Sequence, residues 1–141
     1  MLDAGRPVLE SALKSAFSLG MASSSTLASE IIGAGLLAVI SMGQFPSVPS
    51  PIPLVPSGIS AAKSMIKQAF SLGPAATPEL SAQMITAGVV ASCSMIPPAG
   101  VSSLQSAIKS AFSNKDSADK TTSAQKMSSA IITYYKTGGG I

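Results

Sequence analysis

The sequence contains no histidine and no tryptophan, and it has one cysteine, two tyrosines and four phenylalanines. Without histidine the usual general base and the commonest metal ligand are both missing, and one thiol cannot build a thiolate site. Zinc, haem and Cys–His chemistry are thereby excluded, and no cofactor or metal is expected. Cys93 has Ser92, Ser94 and Met95 as neighbours and no base to activate it, so it reads as a small core filler. A lone cysteine also allows no intrachain disulfide framework, which fits folding in a reducing cytoplasm.

Charge is scarce as well. Charged residues make up 11% of the chain, less than half of the roughly 25% usual for globular proteins, and mean hydropathy is +0.45. Such a surface has little charge to keep copies apart and leaves neutral or apolar area that an isolated monomer rarely exposes. The composition points to a chain packed against other chains. The nine Lys and Arg residues give a net charge of +3 but are scattered, with no arginine-rich patch and no interleaved aromatics, so nucleic acid is not an expected partner.

Long hydrophobic runs are missing too. The stretch Ile31–Met42 falls short of a bilayer span, and Met84–Ile96 is interrupted by hydroxyls. The start, Met1 to Pro7, lacks the basic stretch and apolar run of a secretory signal. Neither a signal peptide nor a transmembrane helix is expected. No phosphate-binding, dinucleotide-binding or nucleophile-elbow pattern occurs. Ser–Lys pairs such as Ser64 and Lys67 recur in triplicate, unlike a catalytic dyad, so neither enzymatic activity nor a small-molecule substrate is expected. The six carboxylates, Asp3, Glu10, Glu30, Glu79, Asp116 and Asp119, mostly sit near expected helix starts, where they complement the dipole.

What is present is a repeat. Ser11, Lys14, Ala16, Phe17 and Ser18 recur as Ser64, Lys67, Ala69, Phe70 and Ser71, and again as Ser106, Lys109, Ala111, Phe112 and Ser113. The offsets, 53 and 42 residues, also align Gly5, Gly58 and Gly100, then Glu30, Gln83 and Gln125, then Leu36, Val89 and Ile131. Three units result, 5–42, 58–95 and 100–137, within a single domain spanning 1–141.

In each unit Leu9, Ala12, Leu13, Ala16 and Phe17, or their equivalents, trace one face of an α-helix, helix A. Phe17, Phe70 and Phe112 are its expected packing residues. Gly20, Gly73 and Asn114 stand where a left-handed residue ends a helix, and the aligned Ser24, Thr77 and Asp119 are good N-caps for a second helix, helix B. Helix B has a wide apolar face and should be the more buried. Gly33, Ala34, Gly35, Ala87 and Gly88 within it suggest close approach of another backbone. Lys14, Lys67 and Lys109 are placed on the outer face of helix A, and Glu30, Gln83 and Gln125 on the exposed edge of helix B. The expected fold is all-α: three tandem helical hairpins, about six helices, forming a small bundle or a short solenoid.

The connectors differ. Residues 43–57 carry Pro46, Pro49, Pro51, Pro53 and Pro56 and should form an extended polyproline-like chain, whereas the second connector is a short corner at Pro97-Pro98. Apolar residues between the first set of prolines either lie across the helices or dock on a partner. Candidate partner contacts are Phe45, Pro46, Val48, Pro49, Pro51, Ile52, Pro53, Leu54 and Val55 in this connector, with Tyr134, Tyr135 and Ile141 near the end of the third unit. Gly138 to Gly140 are expected to fray.

The Ala/Ser-rich amphipathic helix followed by a helix ending Ser129-Ala130-Ile131-Ile132-Thr133-Tyr134-Tyr135 resembles small helical structural proteins of tailed-bacteriophage virions. The resemblance implies a tail, baseplate or neck component, assembled in the host cytoplasm and located in the virion, that binds itself and other structural proteins. Two alternatives stand beside it: a membrane-active, holin-like protein, and a helical adaptor that holds a partner peptide.

Overall fold

The structure is a computed structural model that describes residues 2–19, 25–45, 52–54, 58–71, 78–93, 100–113 and 120–140. A 3-10 turn at Leu2–Gly5 leads into α1 (Arg6–Leu19), which is followed by α2 (Ser25–Met42), α3 (Ile59–Ser71), α4 (Pro78–Ser92), α5 (Val101–Ser113) and α6 (Lys120–Thr137). Between α2 and α3, β1 (Gln44–Phe45) pairs antiparallel with β2 (Ile52–Pro53). The all-α expectation holds.

Helix starts keep the register of the repeat. Arg6, Ile59 and Val101 each follow one of the aligned glycines, and Ser25, Pro78 and Lys120 are aligned with one another. The expected caps Ser24, Thr77 and Asp119 and the expected stops Gly20, Gly73 and Asn114 lie outside the described residues. The second helix of each unit nevertheless begins immediately after the predicted cap, and the first ends just before the predicted stop.

Packing follows the chain around a closed circuit. Each helix packs against its neighbours in sequence, and α6 returns to pack against α1. Three contacts lie within units (α1 on α2, α3 on α4, α5 on α6), and three join units (α2 on α3, α4 on α5, α6 on α1). The last of these takes the same part as the other two, so the molecule is a closed bundle with approximate threefold repetition. An open solenoid would leave the outer faces of α1 and α6 bare and would need polar capping units. Closure covers both faces with each other.

Burial separates the two kinds of helix. α1, α3 and α5 bury a narrow stripe at aligned positions: Leu9 and Leu13, Ala62 and Ile66, Leu104 and Ile108. α2, α4 and α6 bury far more, again in register: Ile32, Ile85 and Met127; Leu36, Val89 and Ile131; Val39, Ser92 and Tyr134; Ile40, Cys93 and Tyr135. Helix B is therefore the inner helix of each unit, as its wide apolar face predicts. Lys14, Lys67, Lys109, Glu30, Gln83 and Gln125 are all exposed, on the outside where they were expected.

Small residues allow the close approach. A Cβ on Gly35 would lie 2.9 Å from the Ala12 Cβ, and one on the aligned Gly88 would lie 3.2 Å from the Ala62 carbonyl oxygen, so each inner helix rests almost on the backbone of its outer partner. Ala34 and Ala87 face outward instead and play no part in it. The tightest contact is at Gly58, where a Cβ would stand 1.8 Å from the Ala91 carbonyl oxygen, while the Gly58 N–H donates to the Ser92 carbonyl at 3.3 Å.

Two expectations need correction. The described ends of the first connector do not run on as extended chain but turn back through the β1–β2 ladder, and the Leu54 N–H donates to the Gly43 carbonyl at 3.2 Å. Leu54 is 4% exposed and packs with Leu2 around Gly43, so it is a core residue of its own chain and not a partner contact. The glycine-rich end also does not fray. Gly140 N–H donates to the Tyr135 carbonyl, Gly139 N–H donates to the Lys136 carbonyl, and Gly139 adopts φ +104°, the hydrogen-bonding pattern of a Schellman cap on α6.

Two glycine substitutions should differ in cost. Gly58→Ala drives a methyl into backbone that cannot yield and should cost about 2–3 kcal/mol or prevent folding. Gly33→Ala would bring its methyl to 2.6 Å from Cγ and Cε of Lys63, a side chain that yields more readily than backbone, and it gains helix propensity, so urea denaturation should show a smaller loss than for Gly58→Ala.

Candidate interaction surfaces

Of the candidate partner contacts, Ile52 and Pro53 are exposed on β2. Pro46, Val48, Pro49, Pro51, Val55 and Ile141 lie outside the described residues, and Phe45 is described only through its backbone in β1. Phe17, Phe70 and Phe112 occupy equivalent places near the ends of α1, α3 and α5, and their side chains are likewise outside the described set.

Tyr134 and Tyr135 are not on the surface. They are 2% and 0% exposed, deep in the end of the bundle where the connectors lie, with ring centroids 5.8 Å apart. Their aligned counterparts explain how two large rings fit: Ser92 and Cys93 in the second unit, Val39 and Ile40 in the first. The second unit is small where the third is large. Ser92 Oγ donates to the Val89 carbonyl at 2.6 Å, which uses its one proton, so the Tyr135 hydroxyl donates to Ser92 Oγ across 2.8 Å. That bond links α6 directly to α4. Burial raises the Tyr135 pKa far beyond its ordinary value, with only partial relief from the Ser92 hydrogen bond, and burial raises that of Tyr134 as well. Both stay neutral. The Tyr134 hydroxyl is buried without a hydrogen-bond partner, a cost the packing of its ring must offset.

The contact that closes the circuit carries polar links as well as core packing. Arg6 Nη1 donates to Ser129 Oγ at 3.0 Å, Arg6 Nη2 pairs with Asp3 at 3.1 Å, and Lys136 pairs with the other Asp3 oxygen. Asp3 thus joins α1 to α6, and the hydrogen bonds from Lys136 and Arg6 hold its pKa below the usual carboxylate value. Between α2 and α3 the corresponding link is one exposed pair, Lys63 with Glu30, at 3.0 Å.

Large hydrophobic residues are exposed at six described positions: Val8, Leu27, Leu37, Met42, Ile52 and Leu80. Leu27 and Leu80 are repeat equivalents in the first turns of α2 and α4. The other four belong to the connector end of the first unit, in the first turn of α1, the last turns of α2 and the hairpin that follows. An open depression of about 400 Å³ along α1, lined by Pro7, Val8, Ser11, Ala12 and Ser15, takes in Val8. Sequence reading missed this cluster, although the repeat alignment carries the signal. Val8 corresponds to Ala61 and Ser103, so that apolar side chain is particular to unit one.

Among the described residues no group of acidic and sulfur side chains is placed to hold a metal ion, and no helix is long and apolar enough to cross a membrane.

The buried tyrosines separate by mutation. Tyr135→Phe should cost about 1 kcal/mol by removing a satisfied hydrogen bond, whereas Tyr134→Phe removes an unsatisfied buried hydroxyl and should be neutral or stabilising in thermal denaturation. Asp3 supplies a pH test. With its folded pKa depressed, its contribution is present above the unfolded carboxylate pKa and lost as pH falls through the folded value. Wild type and Asp3→Asn should therefore differ in melting temperature at neutral pH and converge under strong acid.

Comparison of the chain with protein-family models, curated proteins and solved structures returns no match.

Proposed function

We propose that this chain is a non-enzymatic assembly protein that packs against other subunits of a large particle, and that the particle is a tailed-bacteriophage virion. The observation that carries the assembly role is the concentration of exposed apolar side chains, Val8, Leu37, Met42 and Ile52, at the connector end of one unit. The same end bears the insertion 43–57, which has five prolines and no charged residue. A surface of this kind is costly to leave in water and has the composition of the apolar centre of a protein interface. Val8 gives way to Ala61 and Ser103 in the other units, and Leu37 to the smaller Val90 and the buried Ile132, which favours one unit as the contact and the other two as scaffold. The assignment to a virion rests on the resemblance of the helical repeat and its Tyr-Tyr ending.

Gradient-purified particles from cells that make this chain should contain it at a fixed stoichiometry, with cross-links from residues 43–57 and from α2 to other structural proteins. Leu37→Glu combined with Met42→Glu should leave the helical circular-dichroism signal and melting temperature close to wild type and abolish incorporation. A chain found only as free monomer and absent from every particle would contradict the proposal.

A further inference from the structure

The three contacts between units repeat one arrangement, and its register can be followed residue by residue. Lys63 on α3 reaches Glu30 on α2 at 3.0 Å. α1 and α6 run antiparallel, since Asp3 pairs with Lys136 and Arg6 with Ser129. One turn on from Arg6 along α1 and one turn back from Ser129 along α6 stand Glu10 and Gln125, the repeat equivalents of Lys63 and Glu30. The same equivalence sets Gln105 on α5 beside Gln83 on α4. Burial agrees: Glu10, Lys63 and Gln105 are all half-buried, while Glu30, Gln83 and Gln125 are all exposed. Each contact thus holds one polar pair at the same place: Glu30 with Lys63, Gln83 with Gln105, and Gln125 with Glu10.

A third position completes the arrangement. Gly33, Thr86 and Ser128 are repeat equivalents, all buried, and each follows the inner-helix member of its pair by one turn. The Lys63 stem lies directly over Gly33, where a Cβ would stand 2.6 Å from Cγ and Cε and 3.1 Å from Cδ. The bare glycine backbone is a groove in α2 that the lysine stem fills, and the ammonium is carried on to Glu30 at its edge. Packing of the stem leaves the Lys63 side chain 33% exposed and offsets part of the entropy cost that makes surface ion pairs weak. Thr86 and Ser128 fill the same place with side chains of their own, and the residues that face them, Gln105 and Glu10, are shorter than lysine.

We infer that Gly33, Glu30 and Lys63 form a lock that fits the outer helix of unit two, and neither of the other outer helices, against the inner helix of unit one. Among these positions Glu30 with Lys63 is the one pairing of opposite charge, and Glu30 with Glu10 is the one pairing of like charge. An α1 helix laid against α2 from another copy sets two carboxylates together. An α5 helix laid there leaves the groove partly empty and Glu30 without a cation. Discrimination is the difference between the fitting and the clashing arrangement, so it exceeds what one exposed ion pair contributes. The three hairpins share one pattern, and the lock distinguishes the correct neighbour of α2 from its two near-copies. It does so whether or not the chain is a virion component.

The test is a set of double-mutant cycles in the full chain, read as melting temperature by circular dichroism. Glu30→Gln and Lys63→Gln together should cost roughly 1–4 °C less than the sum of their separate effects. That coupling should vanish when Gly33→Thr, which copies unit two, is added. Lys63→Glu should cost more than Lys63→Gln, and the excess should disappear in the Glu30→Gln background. The second contact supplies the converse, independent of whether Gly33→Thr folds: Gln83→Glu with Gln105→Lys should show no coupling beside Thr86 and should gain it with Thr86→Gly. Each coupling is a difference within one background, so a uniform loss of stability from the groove variant cancels. Equal coupling with glycine and with threonine in the groove would overturn the proposal, as would the absence of coupling between Glu30 and Lys63 in the parent chain.

Discussion

Closure of α6 onto α1 is the constraint on which the remaining architecture depends. Each helical hairpin has an inner helix too apolar for exposure and an outer helix with only a narrow buried stripe, so no unit can satisfy its own inner helix. Three units set side by side still leave two bare faces, and joining those faces removes both. Once the circuit closes, the inner helices α2, α4 and α6 share one interior. Every aligned buried position then has two counterparts, and the volume available to one side chain depends on the other two.

That dependence explains the tyrosines. A unit with Tyr134 and Tyr135 at its inner end packs only where another unit is small, and Ser92 and Cys93 meet that need while Ser92 also accepts a hydrogen bond from the Tyr135 hydroxyl. The units are therefore not interchangeable despite their common pattern. The divergence places each unit in a definite position of the circuit, and the buried hydroxyl pair adds directional specificity to an otherwise apolar core.

Much of this fold was legible in the sequence. The phenylalanine register located all three units, the aligned glycines marked the heads of α1, α3 and α5, and the periodicity of Leu9 and Leu13 identified the buried stripe of the outer helices. Ring closure was not legible, because an open solenoid and a closed bundle have the same local periodicity and differ only in whether the first and last faces meet. Arg6, standing where the other units have Ile59 and Val101, was its trace. Tyr134 and Tyr135 were misassigned because an aromatic pair in one unit alone resembles a surface feature; the compensating smallness of Ser92 and Cys93 shows it to be a packing feature. Leu54 was misassigned because its proline-rich surroundings suggest extended chain, whereas the chain reverses at β1 and β2 and returns Leu54 to Gly43. The apolar face of unit one required burial to be known, since Leu36 and Leu37 are adjacent and alike yet only Leu36 is enclosed.

The separation of α1 and α6 in solution tests closure most directly. Spin labels at Ser11→Cys and Lys126→Cys, both exposed sites on these helices, should give by pulsed dipolar spectroscopy a single narrow distance below about 25 Å, as neighbouring helices pack about 10 Å apart. An open solenoid would place the same labels about 40 Å apart or more, and that result would contradict the account.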